Sequence, residues 1–230
     1  MAHSQSRPFV FIHTTASLDG SIDHSGPERL VLSNATHLAE VDRLRADSDA
    51  ILIGAGTLRR DNPRLLVYSE KLRELRRSKG QSEFPIKVTC TCSGEIPAGS
   101  SFFSAGNGEK IVYCPAPRLE ALTRQLGTSA QTVGMGNNVV APHFILQDLY
   151  RRGVRRLMIE GGSSINALFL SSGLVDELWL AIAPLVIGAE TAPRLFNPQK
   201  LSLPTNLSFQ LLSAAALDGL VLARYAVRYV

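Results

Sequence analysis

The stretch Arg155-Arg156-Leu157-Met158-Ile159-Glu160-Gly161-Gly162-Ser163-Ser164-Ile165-Asn166 constrains the fold more than any other. An apolar run ends in a carboxylate, two glycines and two serines, and a helical pattern follows at once with Ile165, Leu168 and Phe169 on one side. This order reads as a strand feeding a helix through a tight turn. Unpaired N–H groups at a helix start favour anions, and glycine lets a phosphate approach the main chain. Glu160 stands at the carboxyl end of the strand, where open α/β sheets place their ligands. The ordinary reading is a Gly-Gly turn followed by a serine N-cap. The spacing matches neither G-x-G-x-x-G nor the P-loop.

The rest of the chain repeats the strand–helix alternation. Pro8–Thr15 is β-branched and aromatic and reads as a strand, turned by Ser17-Leu18-Asp19-Gly20. Asn34 to Ala46 carries Leu38, Val41 and Leu44 and reads as a helix capped by Ser33 or Asn34. Ala50–Ile53, Ile86–Cys92 and Lys110–Cys114 read as strands. A helix is expected over Pro142–Arg152 with Phe144, Ile145, Leu146 and Leu149 inward, then a strand at Arg155–Ile159 and a helix over Ile165–Ser172. Val175–Ala183 is a further strand, and Phe209–Ala215 with Leu220–Val230 form an antiparallel pair across Asp218-Gly219. The expected architecture is α/β: one domain over residues 1–230, with a mixed, mostly parallel sheet flanked by helices and antiparallel C-terminal strands. Residues 1–7 are expected to be a flexible N-terminus.

At 230 residues and 45% hydrophobic content the chain can bury a large core. The formal charge of +4 is a mild excess. Only Arg73–Lys79 looks like a basic patch, within a charged segment Ser69–Glu83 that reads as a surface helix or excursion. A nucleic-acid surface shows a denser basic stripe, so no nucleic-acid partner is expected. An odd count of cysteines, Cys90, Cys92 and Cys114, argues against a disulfide framework. Cys90 and Cys92 are expected on one side of a strand as buried thiols, and no zinc-ligand spacing is visible. No apolar run reaches the roughly 20 residues that span a bilayer, and residues 1–7 lack the apolar core of a signal peptide. A soluble, cytoplasmic protein is the expectation.

Three corners follow expected strand ends: Ala16-Ser17-Leu18-Asp19-Gly20, the loop from Gly54 to Leu65, and Glu160-Gly161-Gly162-Ser163-Ser164. They are expected to meet at one rim of a sheet. In the second, Gly54 and Gly56 leave room for a ligand, Thr57 caps a turn or donates to a phosphate, and Asp61 accepts from an amide or ring N–H or starts a turn. Asp19 reads as a turn residue with a structural hydrogen bond. Arg45 closes a helix on its polar face, and His13 reads as a core or edge residue. No Ser-His-Asp or Cys-His pairing is supported by spacing.

Together these segments resemble the reductase family of riboflavin biosynthesis, that is, the C-terminal domain of bifunctional bacterial pyrimidine deaminase/reductases and its stand-alone relatives. The resemblance rests on Ser17-Leu18-Asp19-Gly20, Arg45–Ile51, Gly56-Thr57, Asp61-Asn62-Pro63-Arg64-Leu65, Glu160-Gly161-Gly162, Gly173–Leu178, Ala183-Pro184 and Gly188. It implies a dihydrofolate-reductase-like fold, a homodimer, NADPH as hydride donor, and a phosphorylated pyrimidine substrate. The implied reaction reduces the ribosyl group of 5-amino-6-(5-phosphoribosylamino)uracil, or its 2,5-diamino pyrimidinone analogue, to the ribityl form. On that resemblance Ala16, Thr57, Asp61, Gly161, Gly162, Ser163 and Ser164 contact the cofactor. Arg45, Leu65 and Glu160 contact the substrate, with Arg45 on its phosphate. Glu160 and Asp61 are the implied catalytic residues.

Three features depart from the family. The zinc deaminase motifs H-x-E and P-C-x-x-C of bifunctional members are absent, so deamination is expected elsewhere. Tyr68 stands where many members have a phosphate-binding arginine, for which Arg64 or the Arg73–Lys79 run is expected to compensate. Leu30 replaces an aromatic common beside the cofactor. A reductase of another pterin, carbonyl or imine compound, or a non-catalytic nucleotide-binding module, stands as the alternative.

Overall fold

The structure is a computed structural model and describes residues 7–24, 26, 30–197, 199, 201, 202, 204 and 207–229. The expectation of a flexible N-terminus falls, for residues 1–6, outside the described residues. In chain order the elements begin with β1 (Phe9–Ser17), α1 (Ala35–Ala46), β2 (Ala50–Gly54), α2 (Ala55–Asp61) and α3 (Glu70–Ser78). There follow β3 (Ile86–Cys90), α4 (Ser101–Ser104), β4 (Lys110–Cys114), α5 (Leu119–Leu126) and β5 (Gln131–Gly134). The chain ends with α6 (Pro142–Arg151), β6 (Arg156–Ile159), α7 (Ser163–Ser171), β7 (Glu177–Ala183), β8 (Leu207–Leu217) and β9 (Leu220–Tyr229). The expected α/β class, with a mostly parallel sheet and an antiparallel end, is borne out.

Two compact units divide the chain, and β6 passes from one to the other between Leu157 and Met158. The first holds Arg45–Leu157 with the described residues before Val10, and its strands run β5-β4-β3-β2-β6. β2, β3, β4 and β5 pair in parallel. Parallel strands covered on both faces read as continuous apolar runs, and every residue of β2 is buried. The stretch expected as a loop after β2 is instead α2, which starts directly at Ala55 and buries Leu58.

The charged segment is the surface helix expected, α3, with Lys71, Arg77 and Lys79 exposed, and only Arg76 turns inward. Ser69 caps α3, and Arg76, 3% exposed, donates to the carbonyls of Ala46 (2.7 Å), Ser48 (2.7 Å) and Ser82 (2.8 Å). Arg73 pairs with Glu70 and Glu83 and donates to the Val67 and Tyr68 carbonyls, while Arg77 pairs with Glu70 and Glu83. Arg73, Arg76 and Arg77 are thus each engaged within the fold. Lys87 is likewise buried in β3 and donates to the Phe102 and Ala105 carbonyls. Burial pushes its ammonium down to about 8. β3 stops at Cys90, so the expected pairing of thiols on one side fails: Cys90 and Cys114 are buried and Cys92 is exposed.

The second unit holds Val10–Leu44 and Met158–Val230, with strand order β6-β1-β7-β9-β8. β1 and β7 are parallel, and β9 turns back antiparallel against β7 and β8. The buried stripe of α1 is His37, Val41 and Leu44, not Leu38, which is 54% exposed. Successive helical residues are about 100° apart, so positions 37, 41 and 44 share a face that 38 leaves. The same geometry turns Phe144 outward on α6 while Ile145, Leu146 and Leu149 are buried. Among the described residues no helix is long and apolar enough to cross a membrane, and no group of three or more His, Cys, Asp or Glu is placed to hold a metal.

Candidate functional site

The Gly-Gly corner has the expected strand–turn–helix form. β6 ends at Ile159, Glu160 follows half-exposed, and the Gly161–Gly162 peptide is cis. Gly161 has φ +93, a conformation glycine adopts without steric cost. α7 then starts with Gly162, not a serine, at the N-cap, and no side chain caps it. The Gly162 carbonyl accepts from the N–H groups of Ile165 (2.9 Å) and Asn166 (3.0 Å). The N–H groups of Ser163 and Ser164 donate to no acceptor among the described residues. The serine hydroxyls are engaged elsewhere. Ser163 Oγ donates to the Arg194 carbonyl, and Ser164 Oγ accepts from Asn197 Nδ2 at 3.2 Å. An anion at this corner therefore meets backbone donors and the positive end of a nine-residue helix, which is the chemistry such termini offer.

The corner after β1 belongs to the same unit. Ala16 lies within β1 rather than in the turn, paired in register with Ile182 and 2% exposed, so a ligand reaches it through its backbone. Asp19 is the structural turn residue expected. Its carboxylate accepts from Ser17 Oγ (2.5 Å) and from the N–H groups of Ile187 (3.1 Å) and Gly188 (2.9 Å). These donors, the Ser17 hydroxyl first, hold its carboxyl well below the usual carboxylate range.

In the first unit, Thr57 and Asp61 stand on α2, four residues and so about one turn apart, which puts them on one side of the helix. Both are half-buried. A Cβ built on Gly56 would meet nothing within 4 Å, so this helix start leaves open space. α2 ends at Asn62, whose φ of 43 is left-handed, and its N–H donates to the Leu58 carbonyl at 3.2 Å. Asn62 Oδ1 accepts from the Ser101 N–H at 2.6 Å, tying the Asp61 end of α2 to the start of α4. Leu65 is buried with φ 48, unusual for a residue that is neither glycine nor asparagine, so any ligand contact there is through its backbone. Arg45 donates to the Leu66 carbonyl at 3.1 Å, which sets its half-buried guanidinium beside the Leu65–Tyr68 segment. Tyr68 is 58% exposed.

Sequence reasoning missed two groups. His13 and His37 face each other with Nε2 atoms 3.3 Å apart, and Ser33 Oγ lies 2.9 Å from His37 Nδ1. Burial holds the His37 imidazole below its ordinary value. The 37/41/44 stripe carried the signal that His37 is inward. The segment Leu185–Asn197, which binds both corners of the second unit, was marked in the sequence only by Gly188, because its contacts are long-range.

Comparison with known proteins adds an independent line. The family model described as the RibD C-terminal domain matches residues 8–222. The 2,5-diamino-6-ribosylamino-4(3H)-pyrimidinone 5′-phosphate reductase of Archaeoglobus fulgidus is 36% identical over 189 residues, 81% of this chain and 85% of that protein. The reductase of the same name from Aquifex aeolicus is 31% identical over 197 residues, 82% of each chain. Among solved structures, a pyrimidine reductase-like protein from Corynebacterium diphtheriae superposes with a TM-score of 0.80 at 25% identity, covering 97% of this chain and 93% of that one. The match over residues 8–222, with relatives above 30% identity along most of their length, places this chain in the RibD C-terminal domain family.

Proposed function

We propose that this chain is a cytoplasmic reductase, one domain over residues 1–230, acting on 2,5-diamino-6-ribosylamino-4(3H)-pyrimidinone 5′-phosphate or its 5-amino uracil analogue. NADPH is the hydride donor of this reading. The carrying observation is the pair of N–H groups at Ser163 and Ser164, without acceptors among the described residues, at the start of a helix in a chain of this family. That donor set fits a dinucleotide phosphate, and the open space at Gly56 fits a flat group laid on the main chain.

In this reading Gly161 and Gly162 admit the cofactor, and the Ser163 and Ser164 N–H groups hold a phosphate of it. Ala16 contributes a backbone contact, and Thr57 and Asp61 contribute side-chain contacts from α2. Bound NADPH supplies the hydride, and orientation and electrostatics are the protein's share. Arg45 grips the substrate phosphate through its fork of donors, Leu65 offers backbone, and Glu160 orients the sugar and relays the proton that the reduced nitrogen takes up. Asp61 holds the reacting region.

The test is NADPH oxidation by the purified chain with the phosphoribosylamino-pyrimidine, beside NADH and dihydrofolate. Turnover of the pyrimidine with NADPH supports the reading, and turnover of dihydrofolate alone refutes it. A second reading, reduction of a different pterin, carbonyl or imine compound, draws on Tyr68 and on the engagement of Arg73, Arg76 and Arg77 within the fold.

The assembly proposed is a homodimer. In the second unit Ser208–Ala216 of β8 are all exposed, and Phe209 (40%), Leu211 (54%) and Val221 (45%) leave apolar surface open. A long apolar edge strand is an association site unless covered. Sedimentation of a single monomeric species at micromolar concentration would refute the dimer.

A further inference from the structure

The segment Leu185–Asn197 crosses the second unit from the β1 corner to the start of α7. At one end the Leu18 N–H donates to the Leu185 carbonyl at 2.8 Å, and Asp19 takes the N–H groups of Ile187 and Gly188. Arg194 donates through its guanidinium to the Asp19 carbonyl, and Ser21 bridges to Arg194. The Ile22 N–H donates to the Pro193 carbonyl at 2.8 Å and the Leu195 N–H to the Gly20 carbonyl at 3.1 Å. At the other end the same segment holds the first turn of α7. The Arg194 carbonyl accepts from Ser163 Oγ, and the Leu195 carbonyl accepts from Asn166 Nδ2 at 3.1 Å. The Asn197 N–H donates to the Ser163 carbonyl at 3.2 Å, and Asn197 Nδ2 donates to Ser164 Oγ.

The consequence is geometric. The two serines keep their hydroxyls and the Ser163 carbonyl turned to the strap, while their N–H groups have no acceptor among the described residues. An anion site made of backbone donors works when those donors are fixed before the ligand arrives. Within α7 the first turn is held only by the bonds from Ile165 and Asn166 to the Gly162 carbonyl, because the N-cap is a glycine without a side-chain bond. The strap supplies further restraint, and its own position is set at Asp19.

We propose that Leu185–Asn197 is a strap that orients the Ser163 and Ser164 N–H groups, with Asp19 and Arg194 as positioning residues for dinucleotide binding. This rests on the assignment of those N–H groups to the cofactor. Asp19 makes three bonds through its carboxylate and one through its carbonyl, so it is the hub of the clamp. Asparagine in its place retains one acceptor oxygen but offers an NH2 where the carboxylate accepts.

The test uses the full chain. NADPH affinity is measured by fluorescence titration, steady-state constants by NADPH oxidation, and the mobility of residues 160–166 by amide hydrogen exchange. Asp19→Asn, Asp19→Ala and Arg194→Ala are expected to weaken NADPH binding tenfold or more and to speed exchange over 160–166. The KM for the pyrimidine should stay within about twofold. Arg194→Lys, which keeps a donor for the Asp19 carbonyl, should recover most of the affinity. If the Asp19 variants do not fold, Ser163→Ala and Asn197→Ala together decide, because they remove two of the four bonds between strap and α7 and leave the clamp intact. Unchanged NADPH affinity together with unchanged exchange in folded variants overturns the strap. A wild-type chain that binds no NADPH overturns the cofactor assignment, and with it the role given to the strap, while the exchange data still report whether the strap restrains α7.

Discussion

Asn62 offers a test in which backbone and side-chain effects separate. It ends α2 in the left-handed region at φ 43, and its Oδ1 accepts from the Ser101 N–H at 2.6 Å. Asn62→Gly keeps access to that backbone conformation and deletes the bond. The Ser101 N–H sits at an exposed helix start where water replaces the lost acceptor, so the bond contributes about 0.5–1 kcal/mol. The extra freedom of glycine in the unfolded chain costs about 0.5–1 kcal/mol more, so the variant should lose about 1–2 kcal/mol. Asn62→Ala loses the same bond and adds the left-handed penalty of about 1–2 kcal/mol in place of the glycine entropy. Alanine should therefore be the less stable of the two by up to about 1 kcal/mol. Urea denaturation resolves that difference, provided the slope with denaturant is the same in both. A functional readout goes with it. Both variants loosen the Asp61 end of α2, so the KM for NADPH should rise severalfold with a smaller change in kcat. An alanine variant more stable than the glycine variant would show that the positive φ costs less than the glycine entropy. A glycine variant as stable as the wild type, with unchanged KM, would show that the bond to Ser101 holds nothing.

Three further outcomes follow from the site. Glu160→Gln keeps the shape of the side chain and removes its charge, so the fold should survive while kcat falls at least a hundredfold in NADPH oxidation; near-normal turnover would make Glu160 structural. Arg45→Ala should raise the KM for the phosphorylated pyrimidine about tenfold or more and leave that for its dephosphorylated form unchanged, as steady-state assays with both compounds would show. Burial depresses the His37 imidazole, so the unfolded chain binds its proton more readily than the folded chain. Stability should thus be level above pH of about 6.5 and decline by at most about 1.4 kcal/mol per pH unit below it, until the folded-state value is passed. Urea midpoints across that range should show the decline, and His37→Gln should flatten it.

How much of this was legible in the sequence depends on the range of the interactions. The Gly-Gly corner was readable because its signal is local: an apolar run, two glycines and a new helical period within a dozen residues. β4 was readable to the residue, Lys110–Cys114, because every side chain of a covered parallel strand is apolar or hidden. α2 was not, because Gly54 and Gly56 suggest a loop and its start at Ala55 is fixed by tertiary packing of Leu58, not by propensity. The inward turn of Arg76 was hidden for a related reason. Composition counts charges, whereas Arg73, Arg76 and Arg77 spend theirs on two glutamates and on backbone carbonyls up to 30 residues away. The serines at the α7 start make the same point for function. Their residue type suggested an N-cap, yet the N-cap is Gly162, the hydroxyls face Arg194 and Asn197, and the groups left over are the N–H donors that every residue but proline carries. Family resemblance pointed to this corner, but which of its atoms the fold itself occupies depends on bonds from residues more than 20 positions downstream, and those lie beyond any local pattern.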